Sequence, residues 1–268
     1  MLPIDKRPLG LRTLFDQTVD DYDAIRPRYP AALINDIVAL AALPPEAAVM
    51  EIGCGTGQAT IPFAQRGYQM TCLDIGPALA ARAALNCQAY PNVHIHVAAF
   101  EDWPLQAESF DLVMAATAFH WIAPELGYPK AAQLLKKTGA LAIFSNEHPT
   151  PYTDFFLEAQ TIYQRRMPQW QSPQTSATID QRIAQTEARI NATGLFAPVL
   201  VQTYSWLQSY TSQSYLQLLN TYSDHRHLEP SVRMELHRDL AALIDSNYHG
   251  VITKPYLSVL YLAKKAVK

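Results

Sequence analysis

Short apolar runs alternate with amphipathic helical segments through the first 145 residues of the chain. Five runs of four to six residues predict buried strands, at 48–52, 70–73, 93–98, 110–115 and 140–144. Segments with apolar positions at helical spacing precede or separate these runs and predict helices at 30–40, 60–66, 77–90 and 124–136. Strands that alternate with helices in this way are typical of a parallel sheet with right-handed crossovers.

The pattern changes after about residue 150. Prolines punctuate this stretch, and nine of the fourteen tyrosines of the chain lie in it. Two further apolar runs predict closing strands near 199–207 and 256–262, and the segment between them has a helical repeat at 231–246. The whole pattern predicts an α/β fold, doubly wound, with a mostly parallel seven-stranded Rossmann-like sheet and a helical cap inserted after the fifth strand.

We expect a single domain over residues 1–268, since the length permits one large α/β domain with a modest second lobe. Its expected parts are a segment before the first strand, a ligand-binding core, cap elements and closing strands. The segment before the first strand is 1–47, and the ligand-binding core is 48–148. The cap elements are 149–195 and 211–250, and the closing strands are 196–210 and 251–268.

A glycine-rich turn follows the first predicted strand and carries the clearest chemical signal. Glu51 closes the strand, the turn has glycines at 53, 55 and 57, and Asp74 closes the second strand 21 residues after Gly53. Glycines of such a βαβ unit let a nucleoside approach the backbone, and the later carboxylate accepts hydrogen bonds from ribose hydroxyls. The unit therefore predicts a nucleoside site, with Asp74 at the ribose.

The spacing of the glycines discriminates between nucleoside ligands. A dinucleotide site usually has the pattern G-x-G-x-x-G, in which the helix after the third glycine faces a pyrophosphate. Here Gln58 holds that third position. A ligand without phosphate does not need that geometry, so the pattern favours such a ligand over a dinucleotide.

At these residues the chain resembles the class I S-adenosylmethionine-dependent methyltransferases, whose first motif is acidic-apolar-Gly-x-Gly-x-Gly. A narrower resemblance, to the type 11 group that includes trans-aconitate methyltransferase-like proteins, is carried by Phe119-His120-Trp121 after the fourth strand and by two other stretches. One is a lead-in that matches F-x6-Y-x3-R-P-x-Y-P at Phe15, Tyr22, Arg26, Pro27, Tyr29 and Pro30. The other comprises Leu219 to Ser223, Arg233 and Gly250.

The resemblance implies S-adenosylmethionine as cofactor and a set of residues that bind it. The lead-in folds over the cofactor in relatives, so Tyr22 and Arg26 are expected there, with the planar guanidinium suited to the cofactor carboxylate. The family places adenine near the residues after the third strand, although Ala99 stands where many relatives carry an aspartate. The predicted cofactor-binding residues are Tyr22, Arg26, Glu51, Gly53, Cys54, Gly55, Asp74, Ile75, Phe100, Glu101 and Ala116.

Methyl transfer mainly requires positioning and exclusion of water, because the sulfonium already activates the methyl group. A hydroxyl or protonated amine acceptor would also benefit from a general base. His120 and His148 are the candidates, since both follow predicted strands; a structural or cofactor-lining role is the alternative for His120, and a plain loop residue for His148. We expect transfer to a small organic molecule, with O-methylation of a carboxylate or hydroxyl preferred.

Two other functions remain as alternatives. A nicotinamide-dependent oxidoreductase uses the same βαβ unit, but Gln58 and the absence of an identifiable Tyr-x3-Lys pair argue against it. A noncatalytic S-adenosylmethionine-binding module would be expected to have a degraded first motif, whereas this motif is intact.

The composition of the chain indicates its cellular compartment and argues against several kinds of partner. The net charge of −3 and dispersed basic residues argue against nucleic acid, and no apolar segment approaches the length of a membrane span. Three cysteines without a C-x-x-C pair, and a start that lacks a signal-peptide pattern, predict a cytoplasmic setting. His94-x-His96 and His225-x-His227 lack a convincing third ligand, so no metal is predicted. The protein is expected to be a monomer or homodimer.

Overall fold

The computed structural model describes residues 19–170 and 177–266; Phe15 of the lead-in motif lies outside this range. Ten α-helices and seven strands are present in the described part. The helices are α1 (Val19–Ile25), α2 (Ala31–Ala41), α3 (Thr60–Ala64), α4 (Pro77–Asn86), α5 (Pro124–Leu134), α6 (Asp154–Arg166), α7 (Ile179–Ala192), α8 (Ser212–Asn220), α9 (Ser223–Arg226) and α10 (Pro230–Asn247). The strands are β1 (Ala48–Ile52), β2 (Gln69–Asp74), β3 (Val93–Val97), β4 (Phe110–Ala116), β5 (Leu135–Glu147), β6 (Leu200–Thr211) and β7 (Val251–Lys264).

The seven strands form one sheet in the order β3-β2-β1-β4-β5-β7-β6. Neighbouring strands from β3 to β5 pair in parallel, and β7 pairs antiparallel with β5. The predicted mostly parallel, seven-stranded α/β fold is confirmed. The order reverses next to β1, between β1 and β4, and parallel sheets bind ligands beyond the carboxyl ends of their strands at such a point.

Residue contacts divide the chain into two compact units. We call one the sheet unit; it comprises Pro27–Glu147, Ile183–Tyr204 and Leu257–Lys268. We call the other the helical unit; it comprises Met1–Arg26, His148–Arg182 and Ser205–Tyr256. The expected division of residues 1–268 within one methyltransferase domain stays a prediction.

The apolar pattern of the early strands explains the core of the sheet unit. Strand β1 is buried along four of its five residues, as expected for a strand covered on both faces. Two apolar clusters form there, one including Met50, Val113 and Tyr261, the other including Leu33, Val49 and Phe144. These clusters fix the strands whose carboxyl ends carry the candidate site.

The helical unit has a core of its own that is rich in aromatic residues. Phe155, Tyr215 and Leu240 are buried in it together with side chains of α6, α8 and α10. Arg166 on α6 forms ion pairs with Glu235 and Asp239 on α10. No helix in the described residues is long and apolar enough to span a membrane.

Candidate functional site

The glycine turn after β1 is held against the end of β2 by backbone hydrogen bonds. The amides of Gly53 and Cys54 both donate to the carbonyl of Leu73, at 2.8 and 2.9 Å. The amide of Gly57 donates to Cys54 at 2.9 Å, which closes the turn before α3 begins at Thr60. The turn is therefore fixed by the main chain of two adjacent strands.

Gly53 is a position that only glycine fits. Its φ is +69°, and a Cβ built on it would lie 2.5 Å from the Cβ of Ala118. This distance is shorter than any ordinary carbon contact, and Ala118 lies just beyond β4. The glycine therefore lets the turn after β1 approach the chain that follows β4.

Asp74 connects the turn to the chain after β2. Its Oδ2 accepts from the amide of Gly55 at 2.9 Å, and its Oδ1 accepts from the amide of Gly76 at 2.8 Å. The residue is 7% exposed. An ionised carboxylate only accepts hydrogen bonds, which is the chemistry that ribose hydroxyls need. This arrangement fits the predicted ribose diol.

Glu51 is completely buried beneath the same turn. Its Oε2 accepts from the hydroxyl of Thr60 at 2.6 Å and from the thiol of Cys72 at 3.9 Å. Its Oε1 is buried and has no hydrogen-bond partner among the described residues. Burial, opposed in part by the Thr60 hydrogen bond and reinforced by the nearby charge of Asp74, raises the pKa of Glu51 to about 8.

The three cysteines surround this carboxyl and are all free and buried. Burial raises the pKa of Cys54 and Cys72 well above the usual range and that of Cys87 to about 11. Protonated thiols are poor nucleophiles and poor metal ligands. Across the described residues, no group of three or more His, Cys, Asp or Glu side chains is placed to hold a metal ion.

The residues after β3 divide between core and surface. The ring of Phe100 is buried in the core, with the ammonium of Lys130 5.5 Å from its centroid. Lys130 also donates to the carbonyls of Glu101 and Trp103, at 2.8 and 2.6 Å. The Phe100 side chain therefore supports the turn after β3 from within the core, and Ile75 and Glu101 are half-buried.

The chain after β4 makes a tight bend next to the glycine turn. Thr117 has φ of +57°, and its amide donates to the carbonyl of Phe144 at 2.8 Å. The hydroxyls of Thr117 and Tyr29 are 2.7 Å apart. Ala116 and His120 are half-buried, and the His120 ring lies 5.1 Å from that of Trp121. His120 and Ala116 are thus on the same bend as the residue that touches Gly53.

Tyr22 and Arg26 belong to the helical unit, as does His148. The Arg26 guanidinium lies over the rings of Tyr22 and Tyr222, 4.9 and 4.7 Å from their centroids, and donates to the carbonyl of Thr221. The expected contact of Arg26 with the cofactor carboxylate stays a prediction.

The imidazole of His148 is held by its neighbours in one orientation. Its Nδ1 lies 2.9 Å from the carbonyl of Pro149, so this nitrogen is the donor, and Nε2 is buried without a partner in the described part of the chain. Burial, with the nearby charge of Lys254, lowers its pKa to about 3. His148 is therefore neutral at physiological pH, with a lone pair on Nε2.

Within the sheet unit the structure brings together Glu51, Gly53, Cys54, Gly55 and Asp74, as the motif predicted. It also shows side chains that sequence reasoning missed. Thr60, fully buried on α3, donates to Glu51, and Thr117 contacts Tyr29. No spacing in the sequence connects Glu51 to a residue nine positions later, since that contact depends on how the glycine turn folds.

Comparison with known proteins agrees with this geometry. Residues 49–139 match the family model described as a methyltransferase domain, a range from β1 into β5. An uncharacterized methyltransferase of Mycobacterium bovis is 31% identical over 134 residues, which cover 49% of this chain and 51% of the relative. The chain thus spans about half the length of this curated relative.

Two other relatives have named activities. A trans-aconitate 2-methyltransferase of Deinococcus radiodurans is 35% identical over 94 residues, covering 34% of each chain. A malonyl-[acyl-carrier protein] O-methyltransferase of Geobacter sulfurreducens is 28% identical over 151 residues, covering 53% of this chain and 55% of the relative.

Solved structures share the fold at low sequence identity. The Haemonchus contortus phosphoethanolamine N-methyltransferase 2, in complex with phosphomonomethylethanolamine and S-adenosylhomocysteine, has a TM-score of 0.54 and 16% identity, over 96% of this chain and 60% of that one. A [4+2]-cyclase has a TM-score of 0.57 and 14% identity, over 97% of this chain and 96% of that one. The fold alone therefore accommodates more than one chemistry.

Proposed function

We propose that residues 49–139, which match the methyltransferase-domain family model, form a class I S-adenosylmethionine-dependent methyltransferase domain. We propose further that the protein transfers the methyl group of S-adenosylmethionine to a small organic molecule. The observation that carries the proposal is the carboxylate of Asp74, hydrogen-bonded to Gly55 and Gly76 beside the matched glycine turn. A carboxylate at this position is an acceptor of the kind that ribose hydroxyls need, while Gln58 replaces the glycine typical of dinucleotide sites.

Gln58 also contributes to the turn itself. Its amide nitrogen donates to the hydroxyl of Thr56 at 2.6 Å, and the carbonyl of Thr56 accepts from Asn86 at 2.9 Å. These contacts occupy the stretch where a dinucleotide fingerprint would have its third glycine. They support a nucleoside without pyrophosphate over a nicotinamide dinucleotide.

When bound, S-adenosylmethionine would supply a methyl group that its sulfonium has already activated. The chain would then bind the ribose through Asp74, accommodate the cofactor beside Gly53 and Gly55, and orient an acceptor for in-line attack. Tyr22, Arg26, Ile75, Phe100, Glu101 and Ala116 complete the proposed cofactor-binding set.

We propose an oxygen acceptor, in a carboxylate or a hydroxyl. Two relatives act on such molecules by name, one on trans-aconitate and one as an O-methyltransferase. A carboxylate needs no base, whereas a hydroxyl benefits from a hydrogen-bond acceptor, which the neutral Nε2 of His148 can provide. His120 is the second candidate for this role.

Calorimetry distinguishes the proposal from its principal alternative. We expect the purified protein to bind S-adenosylmethionine and S-adenosylhomocysteine and to give no heat with NAD. Binding of NAD with no response to either sulfur ligand would contradict the methyltransferase proposal and favour an oxidoreductase.

A second experiment identifies the acceptor and tests catalysis. The protein is incubated with methyl-labelled S-adenosylmethionine and pooled small metabolites, and mass spectrometry finds the compound that gains label. We expect a labelled ester or ether that disappears with the Asp74→Ala variant. Tight cofactor binding with no labelled product in any pool would favour a noncatalytic module, or another reaction on the same fold.

The oligomeric state and the cellular compartment of the protein can also be proposed. We propose a monomer or homodimer that works in the cytoplasm, where buried free thiols such as Cys54 and Cys72 stay reduced. Size-exclusion chromatography with light scattering tests the oligomeric state.

A further inference from the structure

Glu51 has a feature that the proposed methyl transfer does not use. Its side chain is fully buried, yet Oε1 has no hydrogen-bond partner in residues 19–170 or 177–266. A buried polar atom without a hydrogen-bond partner destabilises the folded protein, and ionising the carboxyl there would destabilise it further. An energetically unfavourable carboxyl at the first residue of the glycine motif indicates that this residue has a role in function.

Among the described residues, the groups that contact Glu51 or interact with it electrostatically carry no positive charge. Thr60 faces it from α3, Met114 is its neighbour in register on β4, and Cys72 and Asp74 face it from β2. Cys54 in the glycine turn and Cys87 after α4 also interact with it electrostatically. These neighbours are neutral or negative, so the carboxyl holds a proton when the site has no ligand.

A cationic ligand at the glycine turn would favour the ionised form of the Glu51 carboxyl over the protonated form. Gly53 and Gly55 are two and four residues from Glu51, and the buried surroundings screen a charge poorly. S-adenosylmethionine carries a sulfonium charge that S-adenosylhomocysteine lacks. The methyl donor should therefore favour the ionised carboxyl more strongly than the demethylated product does.

We propose that Glu51 senses the charge of the methyl donor, releasing its proton to solvent when S-adenosylmethionine binds and releasing less when S-adenosylhomocysteine binds. The exchange is a simple deprotonation: the carboxyl O–H bond breaks, the electron pair stays on Glu51, and buffer takes up the proton. This inference rests on the proposed function, because it assumes that the glycine turn binds these ligands.

Proton release on binding determines the direction in which the ligand affinity changes with pH. A proton lost on binding makes the complex more stable as pH rises, up to the pKa of the unliganded carboxyl, which is about 8. We expect the Kd for S-adenosylmethionine to fall by up to about tenfold per pH unit between pH 6 and 8. The dependence for S-adenosylhomocysteine should be shallower.

The test is calorimetry at pH 7 in two buffers that differ in ionisation enthalpy, which gives the number of protons released per ligand bound. We expect the wild-type protein to release more protons with S-adenosylmethionine than with S-adenosylhomocysteine. Glu51→Gln should abolish this difference, whereas the matched control Glu108→Gln, an exposed glutamate just before β4, should keep it. Equal release with the two ligands, or an unchanged difference in Glu51→Gln, would overturn the inference.

Infrared difference spectroscopy keeps the inference testable if Glu51→Gln does not fold. In wild-type protein labelled with ¹³C-glutamate, a protonated-carboxyl band should be present without ligand and should disappear with S-adenosylmethionine. A band that persists would overturn the inference while leaving the proposed function intact. If neither sulfur ligand binds, the proposed function is wrong, and the inference falls with it.

Discussion

The Asp74 carboxylate connects two parts of the candidate site. One oxygen accepts a hydrogen bond from the glycine turn, and the other accepts one from the residue before α4. Asp111 is a useful counterpart in the same unit. Its Oδ2 accepts from the amide of Ala48, at the opposite end of β1, and from Lys136, both at 2.8 Å. The two carboxylates make similar contacts but lie at opposite ends of the strands.

We predict that Asp74→Asn weakens S-adenosylmethionine binding by roughly ten- to a hundredfold, since one charged acceptor at the ribose is worth about 1.5–3 kcal/mol. Asp111→Asn should lower the free energy of unfolding and leave the affinity unchanged. Calorimetry and urea unfolding of both variants provide the measurements. Equal losses of affinity in the two variants would place the ribose elsewhere.

The close approach of Gly53 to Ala118 should make this position sensitive to substitution. Gly53→Ala places a Cβ 2.5 Å from that of Ala118 and also strains a φ of +69°. Gly67→Ala has a similar φ of +83°, and no atom of the described residues lies within 4 Å of the added Cβ, so this variant isolates the cost of the conformation. We expect about 1–2 kcal/mol for Gly67→Ala and about 1–3 kcal/mol more for Gly53→Ala, measured by urea unfolding.

The double variant Gly53→Ala/Ala118→Gly provides the check on this explanation. It should recover most of the additional loss, because the clashing methyl group has been removed. If Gly53→Ala and Gly67→Ala lose the same stability, the close approach to Ala118 does not matter.

The sequence predicted that Glu51, Gly55 and Asp74 lie together at one turn, and the structure places them together. The motif could do so because backbone geometry restricts where glycine and carboxylates occur in such a turn. It could not reveal that Glu51 is buried against Thr60, since that contact depends on side-chain packing after the turn has folded. The sequence also did not reveal that the Arg26 guanidinium lies over two tyrosine rings, a contact between residues far apart in the chain in one of the two cases.

At the scale of elements, the early strands were predicted closely and β5 was not. The pattern gave 48–52 for β1, which matches the structure, but 140–144 for a strand that runs over Leu135–Glu147. The missing part begins with a polar stretch that resembles the end of a helix. It becomes strand because Leu135 pairs with Phe110 across a register shift, and Lys136 forms an ion pair with Asp111 at 2.8 Å. Both contacts are tertiary.

In the helical unit, a hydrogen-bonded chain connects α9 to α6. Asp224 lies 3.0 Å from Nδ1 of His225, whose Nε2 lies 3.0 Å from the hydroxyl of Tyr163. Burial alone would raise the pKa of Asp224, but its attraction to His225 and hydrogen bonds with it lower the pKa to about 2. The arrangement holds a short helix against the aromatic core.

We predict that His225→Phe destabilises the helical unit by about 2–3 kcal/mol, because the buried Asp224 carboxylate and the Tyr163 hydroxyl each lose the imidazole as a hydrogen-bond partner. His227→Phe, an exposed position on the same segment, should change stability by less than about 0.5 kcal/mol. Tyr163→Phe should cost about 1 kcal/mol. Thermal unfolding measures all three; similar losses for His225→Phe and His227→Phe would mean that the buried chain of hydrogen bonds contributes little.

At the scale of the whole molecule, buried titratable groups give the two units opposite responses to pH. In the sheet unit, the pKa of Glu51 is raised from 4.5 to about 8, so its contribution to stability is fully present below pH 4.5 and is lost as pH rises through 8. In the helical unit, the pKa of His148 is lowered from 6.5 to about 3 and that of His237 to about 4, both mainly by burial. Their neutral state stabilises the unit above pH 6.5, and this contribution is lost as pH falls.

We therefore predict that amide exchange accelerates first in β1 at pH 9 and first in α6 at pH 5, after correction for the intrinsic exchange rate. Mass spectrometry of peptides from each element measures this. Glu51→Gln should remove only the alkaline loss, and His148→Phe should weaken only the acid loss. Exchange that accelerates equally in both elements at both pH values would contradict the assignment of these groups to separate units.

The position of β7 in the sheet also constrains how the protein is made. Residues of β5 from Ala140 to Glu147 pair with β7, from Lys264 back to Leu257, and the ribosome must add more than 100 residues after Glu147 before that partner exists. Throughout this interval the edge of β5 has unpaired amides and carbonyls, which can pair with a strand of another nascent chain. The sheet can be completed only after the intervening helices have been translated, so chaperones that bind exposed strand edges would have their longest opportunity to act there.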